Sequence, residues 1–237
     1  MIKIYGKNCI YEAIRAKAKM DCVFLLDSIT KKDKNIIDIL NKNKYSYKLL
    51  SKDKMDKEFG ISNQGYGAYR EDYKILDESY LSNLPSNNGR VLILDGIMDP
   101  HNLGAILRSV DAFGFDLVIL PKNRSCNVNS TVAHISTGAI EYTKIMYVNS
   151  LLNTINTLKK QNYWICGTDA KGNTLASDID KSLNLAIIIG SEGFGMSKTL
   201  VNASDYLITI PMVGHVNSLN ASVSTAIVLH ELIKKGE

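Results

Sequence analysis

The chain has few cysteines, prolines and histidines, and no long apolar run. Each of these residue types occurs four times in 237 residues. No CxxC pair is present and the histidines are dispersed, so neither a metal site nor a disulfide framework is predicted, and buried free thiols are expected. No apolar run approaches the ~20 residues of a membrane span, and the first residues lack the apolar stretch of a signal peptide. These absences lead us to expect a cytoplasmic protein that binds no metal and no membrane.

The composition is that of a globular protein with an uneven charge distribution. Apolar residues make up 45% of the chain, which is long enough for one large domain or two modest ones. Residues 1–90 contain 17 Lys and Arg against 12 Asp and Glu, whereas the remainder contains 11 against 12. A lysine-rich face can follow the phosphates of a nucleic acid. Solvated lysines on an ordinary surface explain the same excess equally well.

The first 76 residues alternate short helical and strand patterns. Apolar residues recur at helical spacing after Asn8, which can serve as an N-cap, and the runs 23–26 and 45–50 are typical of strands. Residues 77–89 are rich in Ser, Asn, Pro and Gly without periodicity, which is typical of a linker. We therefore predict a small α/β domain over 1–76, a linker over 77–89 and a second domain over 90–237.

The second domain alternates apolar runs with helical patterns. This alternation is typical of a mostly parallel sheet with helices on both faces. A dinucleotide-binding fold would place G-x-G-x-x-G after the first strand, but residues 95–100 read DGIMDP, which disfavours that reading. The predicted strands are 91–94, 117–120, 145–148, 163–166, 185–189 and 206–210.

Three glycine-rich or polar segments lie in this domain, two of them directly after a predicted strand. Residues 99–108 read DPHNLGAILR, residues 190–195 read GSEGFG, and residues 210–220 read IPMVGHVNSLN. Small residues, amides and single charges at strand ends are typical of a ligand site in an α/β sheet. The sequence therefore predicts that the three segments build one site.

In this order and spacing the segments resemble the signature segments of the SpoU (TrmH-like) RNA 2′-O-methyltransferases. The resemblance covers the last ~150 residues. Residues 63–68, NQGYGA, and residues 4–6, IYG, resemble the first domain of one subgroup, the 23S rRNA guanosine methyltransferases. The resemblance implies a small RNA-binding domain similar to ribosomal protein L30e, followed by a mostly parallel α/β domain with a deep trefoil knot.

The resemblance also implies which residues form the site. It implies S-adenosylmethionine as the cofactor, held largely through main-chain groups. In the family the arginine at the position of Arg108 is catalytic. The implied catalytic residues are Arg108, Glu192, Ser218, Asn220 and Asn102, and the expected cofactor-binding residues are Gly167, Gly190, Ile210, Met212 and Leu219. Asn217 stands at a position that varies in the family and is expected to have no catalytic role.

Simpler structural roles explain several of these residues. Arg108 falls off the buried stripe of its helix and would suit a surface ion pair with Asp111. Asn102 would suit a helix cap, and Glu192 would suit a capped tight turn. Because a guanidinium is protonated, we expect Arg108 to bind the adjacent phosphate and stabilise developing alkoxide charge, with Glu192, Ser218 or water assisting proton loss. The family proposal instead makes Arg108 the proton acceptor.

The last helix carries small residues along one side, over residues 221–226. Such a side suits self-association or packing within one subunit, and the resemblance favours a homodimer whose site draws on both subunits. The implied reaction is 2′-O-methylation of a ribose in RNA, and the subgroup implies a guanosine in the peptidyl-transferase loop of 23S rRNA. The alternatives are a tRNA substrate and, in another class, a noncatalytic RNA-binding protein.

Overall fold

The structure is a computed structural model that describes residues 1–216 and 218–233. The strands are β1 (Ile2–Tyr5), β2 (Met20–Leu26), β3 (Tyr47–Leu50), β4 (Tyr66–Arg70), β5 (Ile75–Leu76), β6 (Arg90–Leu94), β7 (Leu117–Pro121), β8 (Ile145–Val148), β9 (Tyr163–Thr168), β10 (Thr174–Leu175), β11 (Asn184–Ile189) and β12 (Tyr206–Thr209). The helices are α1 (Lys7–Arg15), α2 (Ile29–Lys32), α3 (Ile36–Lys42), α4 (Lys52–Phe59), α5 (Pro100–Ala112), α6 (Ser130–Ile135), α7 (Leu151–Lys160), α8 (Lys198–Ala203) and α9 (Ala221–Ile233).

The chain divides into two compact units. The first consists of Met1–Tyr73 together with Val128–Tyr142, and the second of Lys74–Asn127 together with the described residues from Thr143 onward. The first unit thus takes one segment from the middle of the predicted second domain. The predicted boundaries at residues 76 and 90 do not coincide with this division.

The first unit contains a four-stranded sheet in the order β1-β4-β2-β3. Strand β4 is antiparallel to both β1 and β2, and β3 is parallel to β2. Helix α1 buries Ile10, Ala13 and Ile14, as its apolar spacing predicts. The N-cap expected at Asn8 is wrong, because the helix begins at Lys7 after Gly6, whose φ of 97° lies where a side chain would be strained.

The 128–142 segment is bound to this unit by both apolar and polar contacts. The Tyr5 and His134 rings stack with centroids 4.3 Å apart, and the Cys9 thiol donates to the Ala133 carbonyl oxygen at 3.1 Å. Arg70 donates from Nη2 to Glu141 Oε2 at 3.1 Å, and both side chains are buried. Residues 128–142 therefore belong to the hydrophobic core and polar network of the first unit.

The Arg70–Glu141 ion pair is incompletely satisfied. The Arg70 guanidinium lies 3.7 Å from the centroid of the Tyr73 ring, while its Nε and Nη1 have no hydrogen-bond partner in the described part of the chain. Burial raises the pKa of Glu141, although the neighbouring positive charge of Arg70 opposes this shift. The pair is thus a buried charge pair with a substantial desolvation cost.

The second unit contains an eight-stranded sheet in the order β10-β12-β9-β11-β6-β7-β8-β5, and all its neighbouring strands are parallel. The six strands predicted from the apolar runs are all present, which confirms the mostly parallel α/β fold. Strands β6 and β11 are buried along their whole length, as expected for a sheet covered on both faces. The trefoil knot stays a prediction.

The residues predicted to form a linker are structured and belong to the second unit. A 3-10 helix spans Glu78–Asn83, and the Asp77 carboxylate accepts a hydrogen bond from the Ser79 backbone N–H. Leu81 packs into the hydrophobic core formed by the sheet and α7. Pattern reasoning missed this packing because the segment contains only a few scattered apolar residues.

Three of the four cysteines, Cys9, Cys126 and Cys166, are buried free thiols, as expected, whereas Cys22 is partly exposed. Burial raises the pKa of the Cys9 and Cys166 thiols to about 12, so both stay protonated at neutral pH. Within residues 1–216 and 218–233, none of the helices has both the length and the apolar character to cross a membrane.

The buried ion pair leads to a stability prediction. The Glu141→Leu substitution should lower the free energy of unfolding by about 3–5 kcal/mol, because it leaves Arg70 buried without a counter-charge. The Arg70→Leu/Glu141→Leu double variant should regain part of this loss, because it also removes the two unpartnered N–H groups, while the Tyr73 hydroxyl still lacks its Glu141 acceptor. Hydrogen exchange of the amides in β1 and β4 across a urea series measures both effects. Exchange in the single variant as slow as in the wild type would refute the role of the pair.

Candidate functional site

The glycine-rich segment follows β11 and forms a tight turn. Ser191 and Gly195 exchange two main-chain hydrogen bonds, of 3.1 and 3.0 Å. Gly193 and Gly195 have φ values of 87° and 66°, which favour glycine. The tight turn given above as the simpler structural role of this segment is therefore present.

Gly190 is required by the turn itself. A Cβ atom at this position would lie 2.3 Å from the Gly195 carbonyl carbon and 2.4 Å from the Met196 nitrogen. Both of these are main-chain atoms, which cannot move aside as the end of a flexible side chain can. Gly190 therefore allows the turn to fold back on its own strand, and its predicted contact with the cofactor stays a prediction.

Glu192, within this turn, connects the three predicted segments. Its Oε1 accepts hydrogen bonds from Asn102 Nδ2 at 3.0 Å, from Asn220 Nδ2 at 2.6 Å and from the Ala221 backbone N–H at 3.1 Å. Asn220 Nδ2 also donates to Asn102 Oδ1 at 2.9 Å. Residues that are 90 and 28 positions from Glu192 in the chain thus meet at one carboxylate oxygen.

The same junction fixes the beginning of α9. Asn220 Oδ1 accepts from the Ser222 backbone N–H at 2.9 Å and from the Ser222 hydroxyl at 2.6 Å, which is the geometry of a helix cap. The Glu192 carboxylate lies at the positive end of this helix, where negative charge is stabilised. The site is therefore joined to the helix by hydrogen bonds and by charge.

Asn102 does not cap its helix. Asp99 occupies the N-cap of α5 and accepts from the His101 backbone N–H at 3.1 Å. Asn102 lies one turn inside, is 8% exposed and directs its amide to Glu192 and Asn220. The capping interpretation of Asn102 is wrong, and its amide is part of the polar junction.

A cavity of about 940 Å³ lies beside the junction. It is formed by three chain segments that follow β9, β11 and β12 at the same edge of the sheet, together with the first turn of α9. Of the predicted site residues, it is lined by Gly190, Glu192, Ile210, Met212, Ser218, Leu219 and Asn220. These seven predicted residues thus gather at one edge of the sheet, and their role in ligand binding stays a prediction.

Three predicted site residues lie outside the cavity lining. Gly167 is buried in β9, where an added Cβ would lie 2.5 Å from Met196 Cε and 2.6 Å from Ser204 Oγ, so it serves internal packing. Asn102 lies behind Glu192 in the junction. Arg108 is exposed on α5, six residues beyond Asn102. Residue 217 lies outside the described part of the chain.

The cavity also contains residues that sequence reasoning missed. Thr168, Asp169 and Lys171 follow Gly167 at the end of β9 and line the cavity in its place. The only sequence signal for them was their position at the end of an apolar strand, beside the glycine that was predicted to contact the cofactor. The charges of Asp169, Lys171 and Glu192 lie among main-chain groups and apolar side chains, which suits a ligand of mixed polar and apolar character.

Comparison with known proteins shows which family the sequence resembles. The sequence model described as "SpoU rRNA Methylase family" matches residues 89–230. The one described as "RNA 2'-O ribose methyltransferase substrate binding" matches residues 3–69. A Staphylococcus saprophyticus protein, named as a member of the TrmH family of tRNA/rRNA methyltransferases, is 42% identical over 99% of this chain and 96% of its own length.

Solved structures share the fold at lower sequence identity. The SpoU methyltransferase AviRb from Streptomyces viridochromogenes, solved in complex with AdoMet, has a TM-score of 0.81 and 21% identity, covering 98% of this chain and 88% of that one. The TrmH/SpoU tRNA modifying enzyme of A. aeolicus has a TM-score of 0.56 and 26% identity, covering 61% of this chain and 74% of that one.

Two glycines of the turn separate steric crowding from backbone strain. Gly193→Ala places a Cβ in open space at positive φ, and it should lower the free energy of unfolding by about 1–2 kcal/mol at most. Gly190→Ala should cost more, because its Cβ would overlap the main chain of Gly195 and Met196. Urea unfolding, with hydrogen exchange at the Ser191 and Gly195 amides, compares the two. Equal losses would show that Gly190 has no special steric role.

Proposed function

This chain belongs to the SpoU rRNA methylase family, and on that premise we propose that it transfers a methyl group from S-adenosylmethionine to a ribose 2′-hydroxyl of RNA. The observation that carries the proposal is the junction at Glu192, which unites the three family segments beside one cavity. A noncatalytic relative has no need to retain these polar side chains in a mutually bonded arrangement. We expect the enzyme to work in the cytoplasm.

The cavity residues fit the methyl donor. Ile210, Met212 and Leu219 offer apolar side chains and main-chain groups, and Gly190 begins a turn whose backbone lines the cavity. A mostly uncharged lining suits a sulfonium, whose charge disperses as the methyl leaves. Bound there, S-adenosylmethionine supplies an activated methyl group. These residues would hold the donor in a fixed orientation, and alignment supplies a large share of such catalysis.

We assign Glu192 to positioning. Its Oε1 accepts three hydrogen bonds, from Asn102, Asn220 and the Ala221 backbone N–H, and these bonds hold the carboxylate in one orientation at the cavity. The exposed Ser218 hydroxyl lies at the cavity and is free of this junction. Ser218 can thus orient the ribose hydroxyl, whose proton passes to water or to Glu192 Oε2, the carboxylate oxygen outside these three bonds.

Arg108 supports the proposal that the active unit is a homodimer. Its side chain is exposed on α5 and does not line the cavity of its own subunit. Helix α9, which packs against α5, also exposes Val223 and Ile227 one turn apart. Apolar residues in this arrangement suit a subunit interface. We propose that Arg108 of one subunit binds the phosphate beside the target ribose in the site of its partner.

The substrate proposal is a guanosine of 23S rRNA, with tRNA as the alternative. Support comes from the substrate-binding match over residues 3–69, from the basic excess of residues 1–90 and from the NQG segment. In that segment Asn63 is buried and bonded to Asp56 and Gly65, whereas Gln64 is exposed and accepts from the Lys7 backbone N–H at 2.9 Å. Gln64 and the exposed lysines are thus among the polar groups of this unit that RNA could reach.

Methyl transfer to defined RNAs tests the proposed function. The wild-type protein should bind S-adenosylmethionine in isothermal titration and transfer tritiated methyl to a transcript of the 23S peptidyl-transferase loop. The product should resist alkaline cleavage at one nucleotide, because a methylated 2′-oxygen cannot attack the phosphate. Preference for tRNA transcripts would establish the alternative substrate. Cofactor-independent RNA binding without transfer would establish a noncatalytic protein.

The role of Arg108 yields a prediction for turnover. Arg108→Ala should keep S-adenosylmethionine affinity yet lose on the order of 10²-fold in kcat, comparable to removal of one electrostatic stabiliser. Arg108→Lys should restore little, because an ammonium does not reproduce the planar guanidinium. Single-turnover assays with saturating cofactor measure both variants.

Subunit mixing tests where Arg108 acts. Arg108→Ala protein is co-refolded with Ile210→Trp protein, after titration has shown that the tryptophan variant no longer binds the cofactor. Heterodimers should contain one intact site, which returns about a quarter of wild-type activity at equal mixing. A mixture as inactive as its components would place Arg108 in its own subunit's site.

A further inference from the structure

Phe194 is an exposed aromatic residue at the edge of the cavity. Its side chain is 94% exposed, although it belongs to the cavity lining and lies two residues from Glu192. A single exposed apolar side chain on a protein surface needs no explanation. This ring is different because of its place, since a ligand that fills the cavity reaches it.

The backbone beneath Phe194 is fixed. The two hydrogen bonds between Ser191 and Gly195 close the turn, and Gly190 packs against the main chain of Gly195 and Met196. A ring on a closed turn keeps only its side-chain torsions, so covering it with a ligand costs little conformational entropy. Phe194 is thus presented to the cavity on a prearranged support.

The size of the cavity leaves room for more than one small ligand. Its volume of about 940 Å³ lies near the top of the 300–1,000 Å³ typical of small-molecule sites. Three of the residues assigned to the methyl donor, Ile210, Met212 and Leu219, come from the segment at the end of β12, whereas Gly190 begins the turn after β11 and Phe194 lies near the other end of that turn. A donor held by these residues leaves the outer part of the cavity, where Phe194 is exposed, for the second reactant.

We propose that Phe194 stacks on the base of the nucleotide that is methylated. The inference rests on the proposed function, because the second reactant is then RNA. Proteins read single-stranded RNA by stacking unpaired bases on aromatic rings, and such contacts contribute about 1–3 kcal/mol per base. Holding the base against a fixed ring limits the motion of the attached ribose, which presents its 2′-hydroxyl beside the polar junction.

Stacking on a ring tolerates any base, so Phe194 positions the nucleotide without selecting it. The choice of base and of RNA must come from other contacts. Substitution of Phe194 is therefore expected to weaken the binding of every RNA substrate by a similar factor. Its effect on the preference for one transcript over another should be small.

Three variants at this position separate stacking from mere apolar contact. Phe194→Ala should raise KM for the RNA transcript about 5- to 150-fold, the equivalent of 1–3 kcal/mol. Phe194→Leu should show nearly the same loss, whereas Phe194→Trp should remain close to the wild type. The dissociation constant for S-adenosylmethionine should stay unchanged in all three. Val213→Ala is the matched control, because Val213 is exposed on the neighbouring loop but does not line the cavity.

A fluorescent base gives a direct readout of stacking. After the methylated nucleotide has been mapped, 2-aminopurine at that position should be strongly quenched on binding to the wild type and to Phe194→Trp. It should remain bright with Phe194→Ala at saturating protein. A structural role of the ring alone would not produce this difference.

Three results would overturn the proposal. Weaker cofactor binding in Phe194→Ala would show that the ring covers the methyl donor, and a changed sedimentation coefficient would show that it packs in a subunit interface. Wild-type kinetics in Phe194→Leu would show that stacking is not required. Failure of the proposed function is distinguishable, because the wild-type protein would then methylate no RNA at all.

Discussion

The site depends on one carboxylate oxygen. Glu192 Oε1 accepts from the Asn102 amide, the Asn220 amide and the Ala221 backbone N–H, and so joins α5, the turn after β11 and the start of α9. Asn220 at once serves the carboxylate, the Asn102 carbonyl and the first turn of α9. A parallel sheet brings its strand ends to one edge, and this junction fixes the three family segments there relative to one another. The cavity keeps its shape because its neighbouring polar groups satisfy each other.

Much of the fold could be predicted from the sequence, because its determinants are local. The six apolar runs of the second unit became β6, β7, β8, β9, β11 and β12, since strands buried on both faces are apolar throughout. The meeting of the three polar segments could be predicted as well, because carboxyl ends of parallel strands lie together. The cavity is lined by most of the residues named from the family resemblance.

The failures have a common physical cause, which is that pairing between distant residues leaves no periodic trace. Arg70 and Glu141 are 71 positions apart, and neither lies in a pattern that predicts the other. Asn102 was given a capping alternative because caps are local, while its actual partners are 90 and 118 positions away. A glycine at a strand end indicates that a side chain would not fit there, but the sequence does not show which atoms that side chain would overlap. At Gly167 and Gly190 the obstacle is the protein itself.

The placement of the 128–142 segment affects how far the two halves of the chain are interchangeable. The substrate-binding match ends at residue 69 and the methylase match begins at residue 89, so on sequence alone the halves look like separate modules. The first compact unit nevertheless takes residues 128–142 from inside the methylase match, with Glu141 and His134 among its packed side chains. A recombination event that exchanged only the first 73 residues would separate each of these side chains from its partner. The first 73 residues alone therefore lack part of their own hydrophobic core and polar network, and the region of the substrate-binding match is not a self-sufficient packing unit.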